Sequence, residues 1–123
     1  MRILVSMLLL AHAVVLCGAE DSGPRFRLLV LSEEFFSEGA TFADIDADGN
    51  PDVVSGPFWY AGPDFQVRTA YMPSRPCAIS GYSDHFFSFT ADLDSDGDQD
   101  ILVVPIPGRP VHWFSNPGQR DGA

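Results

Sequence analysis

The chain has 123 residues, with 17 acidic and seven basic side chains and a formal charge of −10. That length holds one modest domain, and the lack of a basic stripe excludes a nucleic-acid binder. Ten Phe, three Tyr and two Trp give material for a packed core and argue against a disordered chain.

The first element is a targeting segment over residues 1–19. Arg2 is a short positive n-region, and residues 3–16 are apolar except for Ser6 and His12. Such a run is too short to span a bilayer comfortably and suits a secretory signal. Cys17-Gly18-Ala19 puts small residues at −3 and −1, so cleavage is expected after Ala19. A lipid anchor on Cys17 fits less well, because Leu16 stands where Gly or Ala is usual. The implied location is secreted, periplasmic or cell-surface. With the signal gone, Cys77 is the one remaining thiol, which excludes an internal disulfide and a thiolate metal cluster and reads as a small buried apolar residue.

Residues 20–40 are a polar linker followed by a strand-like run, Phe26-Arg27-Leu28-Leu29-Val30-Leu31. Short strands are then predicted over residues 41–43, 53–55, 58–60 and 66–71, stopped by Gly56-Pro57, by Gly62-Pro63 and before Pro73. After a Pro/Ser-rich connection, residues 73–85, further strands are predicted over 86–90, 101–104 and 111–114. No stretch carries a helical apolar period, so the class is all-β.

Two nonapeptides sit between these strands. Asp44-Ile45-Asp46-Ala47-Asp48-Gly49-Asn50-Pro51-Asp52 and Asp92-Leu93-Asp94-Ser95-Asp96-Gly97-Asp98-Gln99-Asp100 both read D-x-D-x-D-G-x-x-D. Alternate side chains of a tight loop turn their oxygens inward, so positions 1, 3 and 5 offer three carboxylates. Gly at position 6 permits the turn, position 7 offers a carbonyl and position 9 closes the shell. An all-oxygen set with flexible carboxylates selects Ca²⁺ over Mg²⁺. An EF-hand needs Glu at position 12 between helices; Ser55 and Val103 stand there, among β-branched residues. A pair of solvated acidic turns is the plain alternative. Against it, two carboxylates about 4 Å apart repel by about 4 kcal/mol at an effective dielectric near 20, and nothing but a cation rewards assembling them twice. Nine of the 17 acids lie in these loops, four in the first and five in the second. The acidity is therefore local.

The repetition extends past the loops: Trp59-Tyr60-Ala61-Gly62-Pro63 is echoed by Trp113-Phe114-Ser115-Asn116-Pro117. A unit of about 50 residues with about four strands is the signature of a propeller blade. On these motifs the chain resembles FG-GAP/VCBS repeats, the calcium-loop blades of integrin α-chain propellers and of many secreted bacterial proteins. The resemblance covers repeat 1 over residues 41–72 and an incomplete repeat 2 over 86–123, so the expected fold is two four-stranded blades, the second incomplete, of a β-propeller. It implies Ca²⁺ held by the side chains of Asp44, Asp46, Asp48 and Asp52 with the Asn50 carbonyl. In the second loop the set is Asp92, Asp94, Asp96 and Asp100 with the Asp98 carbonyl. Complete propellers of the family have more blades, so further blades are expected, from a longer chain or by association; alone, the chain should be oligomeric, aggregation-prone or partly unordered.

No catalytic constellation stands out, so the chain is not read as an enzyme. His85 beside Asp84 has the arrangement of a general base but lacks a nucleophile, and His112 sits within a strand. Trp59 and Trp113 read as packing aromatics rather than a sugar platform. The expected function is a secreted calcium-binding scaffold for adhesion to a protein or carbohydrate. The alternative is a non-catalytic propeller portion of a larger secreted enzyme, a dehydrogenase or a polysaccharide-acting protein.

Overall fold

The computed structural model describes residues 23–118; the targeting segment and residues 119–123 lie outside that range. Seven strands run in order: β1 Ala40–Ala43, β2 Asp52–Ser55, β3 Phe58–Tyr60, β4 Arg68–Ala70, β5 Phe87–Ala91, β6 Asp100–Val104 and β7 His112–Phe114. They form two antiparallel meanders, a first sheet β1-β2-β3-β4 and a second sheet β5-β6-β7. The all-β reading holds. Among the described residues the two sheets make a stack and not a closed ring.

Burial alternates with two-residue periodicity along β1, β2 and β3, whereas β4 is exposed throughout. In the first sheet Val54 lies opposite Trp59, while Val53 lies opposite Tyr60 and Ser55 opposite Phe58. One face therefore carries Val54 and Trp59, the other Val53, Phe58 and Tyr60. The Val54 face meets the second sheet, where Ile45, Val54, Ile101 and Val103 form a buried core with Trp59, Tyr71 and Phe114 packed around it. Burying each such aliphatic side chain contributes about 1.5–3 kcal/mol. Thr90 also donates its hydroxyl to the Phe42 carbonyl across the gap, at 3.4 Å.

The other face of the first sheet is covered by the chain itself. Phe36 packs edge-on against Phe58, ring centroids 5.1 Å apart, and Leu31 joins that cluster. Cys77 ties in here as well, its amide donating to the Phe35 carbonyl at 2.8 Å; it is half-buried, where full burial was expected. The described residues thus form three layers: residues 31–36, the first sheet and the second sheet.

One predicted strand is absent. Residues 26–31 form no strand with any of the described residues, and residues 24–30 are exposed, with Phe26 at 92% and Leu28 at 88%. A β-prone composition describes fitness for a half-buried pleated surface; without an adjacent strand edge it makes no strand. The fourth strand of the first sheet is shorter than residues 66–71, because the Ala61 and Val67 backbones bond to each other and Gln66 closes a turn on Asp64.

Candidate metal centres

The two nonapeptides connect β1 to β2 and β5 to β6, and they fold alike. Position 4 takes the left-handed conformation in both, at Ala47 (φ 58°) and Ser95 (φ 63°), and the glycine at position 6 has φ 89° and 98°. A side chain at position 6 would be strained there.

Within each loop the first carboxylate acts as an internal cap. Asp44 accepts the amides of Asp48 at 3.0 Å and Gly49 at 2.9 Å; Asp92 accepts those of Asp96 and Gly97, both at 3.0 Å. Asp46 and Asp94 each accept a further bond from the position 5 amide at 3.3 Å. Position 5 accepts from position 7: Asn50 donates to Asp48 at 2.7 Å and Asp98 to Asp96 at 3.0 Å. These Asx-type bonds draw three carboxylates to one spot in each loop. Ligand oxygens of Asp44, Asp46 and Asp48 lie within 4.8 Å of one another, as do those of Asp92, Asp94 and Asp96. Either triad could hold a metal ion.

The electrostatics carry the cost of that clustering. Burial, followed by the like charges of Asp52, Asp48 and Asp44, raises Asp46 above the ordinary carboxylate range. A proton or a cation would relieve it.

Asp52 and Asp100 stand apart from the triads and have a second task. Both are fully buried. Asp52 accepts the Ile45 amide at 2.8 Å on one oxygen and the Gly62 amide at 2.8 Å on the other. Asp100 accepts those of Leu93 at 3.0 Å and Asn116 at 2.8 Å. Burial works to raise the Asp100 pKa, but hydrogen bonds from Asn116, Leu93, Trp113 and Asp94 outweigh it and hold the carboxyl below its usual range. Position 9 therefore locks the loop's second residue to the turn after the third strand of the same sheet.

Asn116 is the functional residue that the sequence reading missed. Its side-chain amide donates to the Ile45 carbonyl in the first loop at 2.7 Å and to the Gln99 carbonyl in the second at 3.2 Å. Beside it, Ser115 donates to Asp94 at 3.3 Å. The counterpart of Asn116 is Gly62, where any side chain would overlap the Pro51 carbonyl. The recurrence of W-aromatic-x-x-P was the available signal: a proline holds the residue before it extended, and in both copies that residue presents its amide to the position 9 carboxylate.

The histidines come together on a cavity of about 170 Å³ that Asp84, Arg109 and Phe114 also line. His85 is buried and its Nδ1 has no hydrogen-bond partner among the described residues; burial pushes its pKa down. Asp84 pairs with Arg109 instead, so the Asp–His dyad of the sequence does not form. Ser83 bonds through both its amide and its hydroxyl to Glu38, and its hydroxyl accepts the His85 amide at 3.1 Å. That network fastens residues 83–85 to Glu38, in the segment leading into β1. Trp59 and Trp113 both border one cleft of about 450 Å³ between the sheets; Trp59 is half-buried and Trp113 is 51% exposed.

Among the described residues no helix is long and apolar enough to cross a membrane. Comparison with protein-family models, with curated proteins and with solved structures finds no match to this chain.

Proposed function

We propose that the chain is an exported calcium-binding repeat module of the FG-GAP/VCBS type, its two sheets being blades of a β-propeller that serves as a binding or adhesion scaffold for a protein or carbohydrate. One observation carries the reading: two loops 48 positions apart in sequence each gather three aspartates at one point. In a solvated acidic turn only the Asx-type bonds from the loop's own amides offset that repulsion; a cation would cancel it. The calcium ligands would be Asp44, Asp46 and Asp48 with the Asn50 carbonyl, and Asp92, Asp94 and Asp96 with the Asp98 carbonyl. Asp52 and Asp100 complete each shell in this reading, since a carboxylate oxygen that accepts one hydrogen bond keeps a second lone pair. When bound, the ion cancels the repulsion at Asp46 and fixes the crossing between two strands.

The test is calorimetric titration with CaCl₂ alongside melting in chelator. Two ions per chain with Kd about 10⁻⁴–10⁻³ M are expected for an extracellular module, together with a melting temperature that rises with calcium by mass action. A melting temperature indifferent to millimolar calcium overturns the reading.

A further inference from the structure

The two sheets are copies, and matched positions show where the second departs from the first. Phe36 and Ser37 correspond to Asp84 and His85, 48 positions on. Strand register matches the pair Ser55 and Phe58 to the pair Val103 and His112. In the first copy these places are closed. Phe36 packs edge-on against Phe58, and the Ser37 and Ser55 hydroxyls share a hydrogen bond of 2.9 Å. In the second copy the valine at position 103 has no group to bond with. His85 is left buried, 7% exposed, and its Nδ1 has no hydrogen-bond partner among the described residues. Buried polar groups in native proteins are nearly always bonded, so this one calls for a reason.

Both His85 and His112 line the cavity of about 170 Å³. The first copy has a cavity of about 250 Å³ at the matching place, lined by Phe36, Ser37, Ser55 and Tyr60 among others. That cavity persists beside a four-stranded sheet, so the second does not arise from the open edge of β7. What sets the second apart is its walls: two imidazoles stand where the first has a serine and a phenylalanine.

The chemistry of those walls selects the ligand. Burial pushes the His85 pKa down, so at neutral pH its ring offers a lone pair and not a charge. Arg109 is paired with Asp84; it leaves no free cation for an anion and no net charge against a metal ion. Imidazole nitrogen suits Zn²⁺, Cu²⁺ and Ni²⁺, whereas Ca²⁺ takes oxygen. Among the described residues only the aspartate triads gather three ligand atoms within 4.8 Å of one another. Here the chain supplies two ligands and water the rest.

We propose that this cavity is a second kind of metal site, taking a borderline divalent cation such as Zn²⁺ on the imidazoles of His85 and His112. It goes beyond the calcium reading and does not rest on it.

Calorimetric titration of the full chain with ZnCl₂, in millimolar CaCl₂ at neutral pH, tests it together with nitrogen NMR of the imidazoles. The expected results are one Zn²⁺ per chain and displaced ring-nitrogen signals for both His85 and His112. His85→Gln and His112→Gln should each weaken zinc binding at least about tenfold. His112 is exposed, so His112→Gln should keep the wild-type near-ultraviolet circular dichroism spectrum. Asp48→Ala should leave zinc binding unchanged. No zinc bound in calcium, binding that survives both histidine variants, an unmoved signal from either ring, or loss of zinc in Asp48→Ala would each overturn the proposal.

Discussion

Replacing Asp52 by alanine separates two roles by sign. If Asp52 served only as a cation ligand, its removal in chelator would take a like charge away from Asp46 and stabilise the protein. The structure gives the opposite expectation. Asp52 is fully buried and receives the Ile45 and Gly62 amides, both at 2.8 Å. Hydrogen bonds to a charged group contribute about 1.5–3 kcal/mol each, and a buried amide left without a partner costs about 1–3 kcal/mol. Two such losses, less the relieved repulsion, come to about 3 kcal/mol. For a domain of this size that lowers Tm by on the order of 10 °C. The measurement is thermal and urea unfolding of wild type and Asp52→Ala, both in chelator, so that no ion contributes. An unchanged or raised midpoint for the variant would refute the argument. Asp48→Ala is the contrast: it is exposed, and its removal in chelator should change stability little while abolishing one cation site.

Asn116→Ala should cost about 1–3 kcal/mol, because it leaves the Ile45 and Gln99 carbonyls without their donor; urea unfolding reads this, and Asn116→Asp should not restore it, since a carboxylate cannot donate. Gly62→Ala should be strongly destabilising through overlap with the Pro51 carbonyl, seen as a lower Tm than Gly49→Ala, where space is open but φ is positive. His85 is buried neutral with a lowered pKa, so below the ordinary histidine value of about 6.5 the unfolded chain binds the extra proton. Stability should therefore fall as pH drops from 7 towards 5, and His85→Gln should flatten that dependence in a series of melting curves. Tyr71→Phe should cost about 0.5–1.5 kcal/mol, since its hydroxyl donates to the Gly56 carbonyl at 2.5 Å.

Local pattern was legible and long-range pairing was not. Strands β2, β3 and β6 could be placed within a residue, because Val53-Val54, Phe58-Trp59-Tyr60 and Ile101-Leu102-Val103-Val104 alternate beside Gly and Pro stops. The aspartate triads were legible because positions 1, 3 and 5 are set by short Asx bonds. Position 9 was read only as an oxygen donor. Its buried role depends on Gly62 and Asn116, 10 and 16 residues away, which no local spacing declares. Residues 26–31 misled for the same reason: propensity says that a segment can be a strand, and an available edge decides whether it is one. Phe36 gave no periodic signal, yet it seals the outer face of the first sheet.

The Asn116–Ile45 bond spans 71 residues of sequence, and it imposes an order on folding. The first sheet is built from hairpins whose partners are close in sequence, Ala43 with Asp52 and Ser55 with Phe58, so loop-closure entropy favours its early formation. The first loop, however, waits for its last donor until β7 has formed and the second sheet has docked. A chain emerging from its N-terminus therefore presents a finished first sheet with an unfinished loop, and the arrival of Asn116 completes the first loop and the second together.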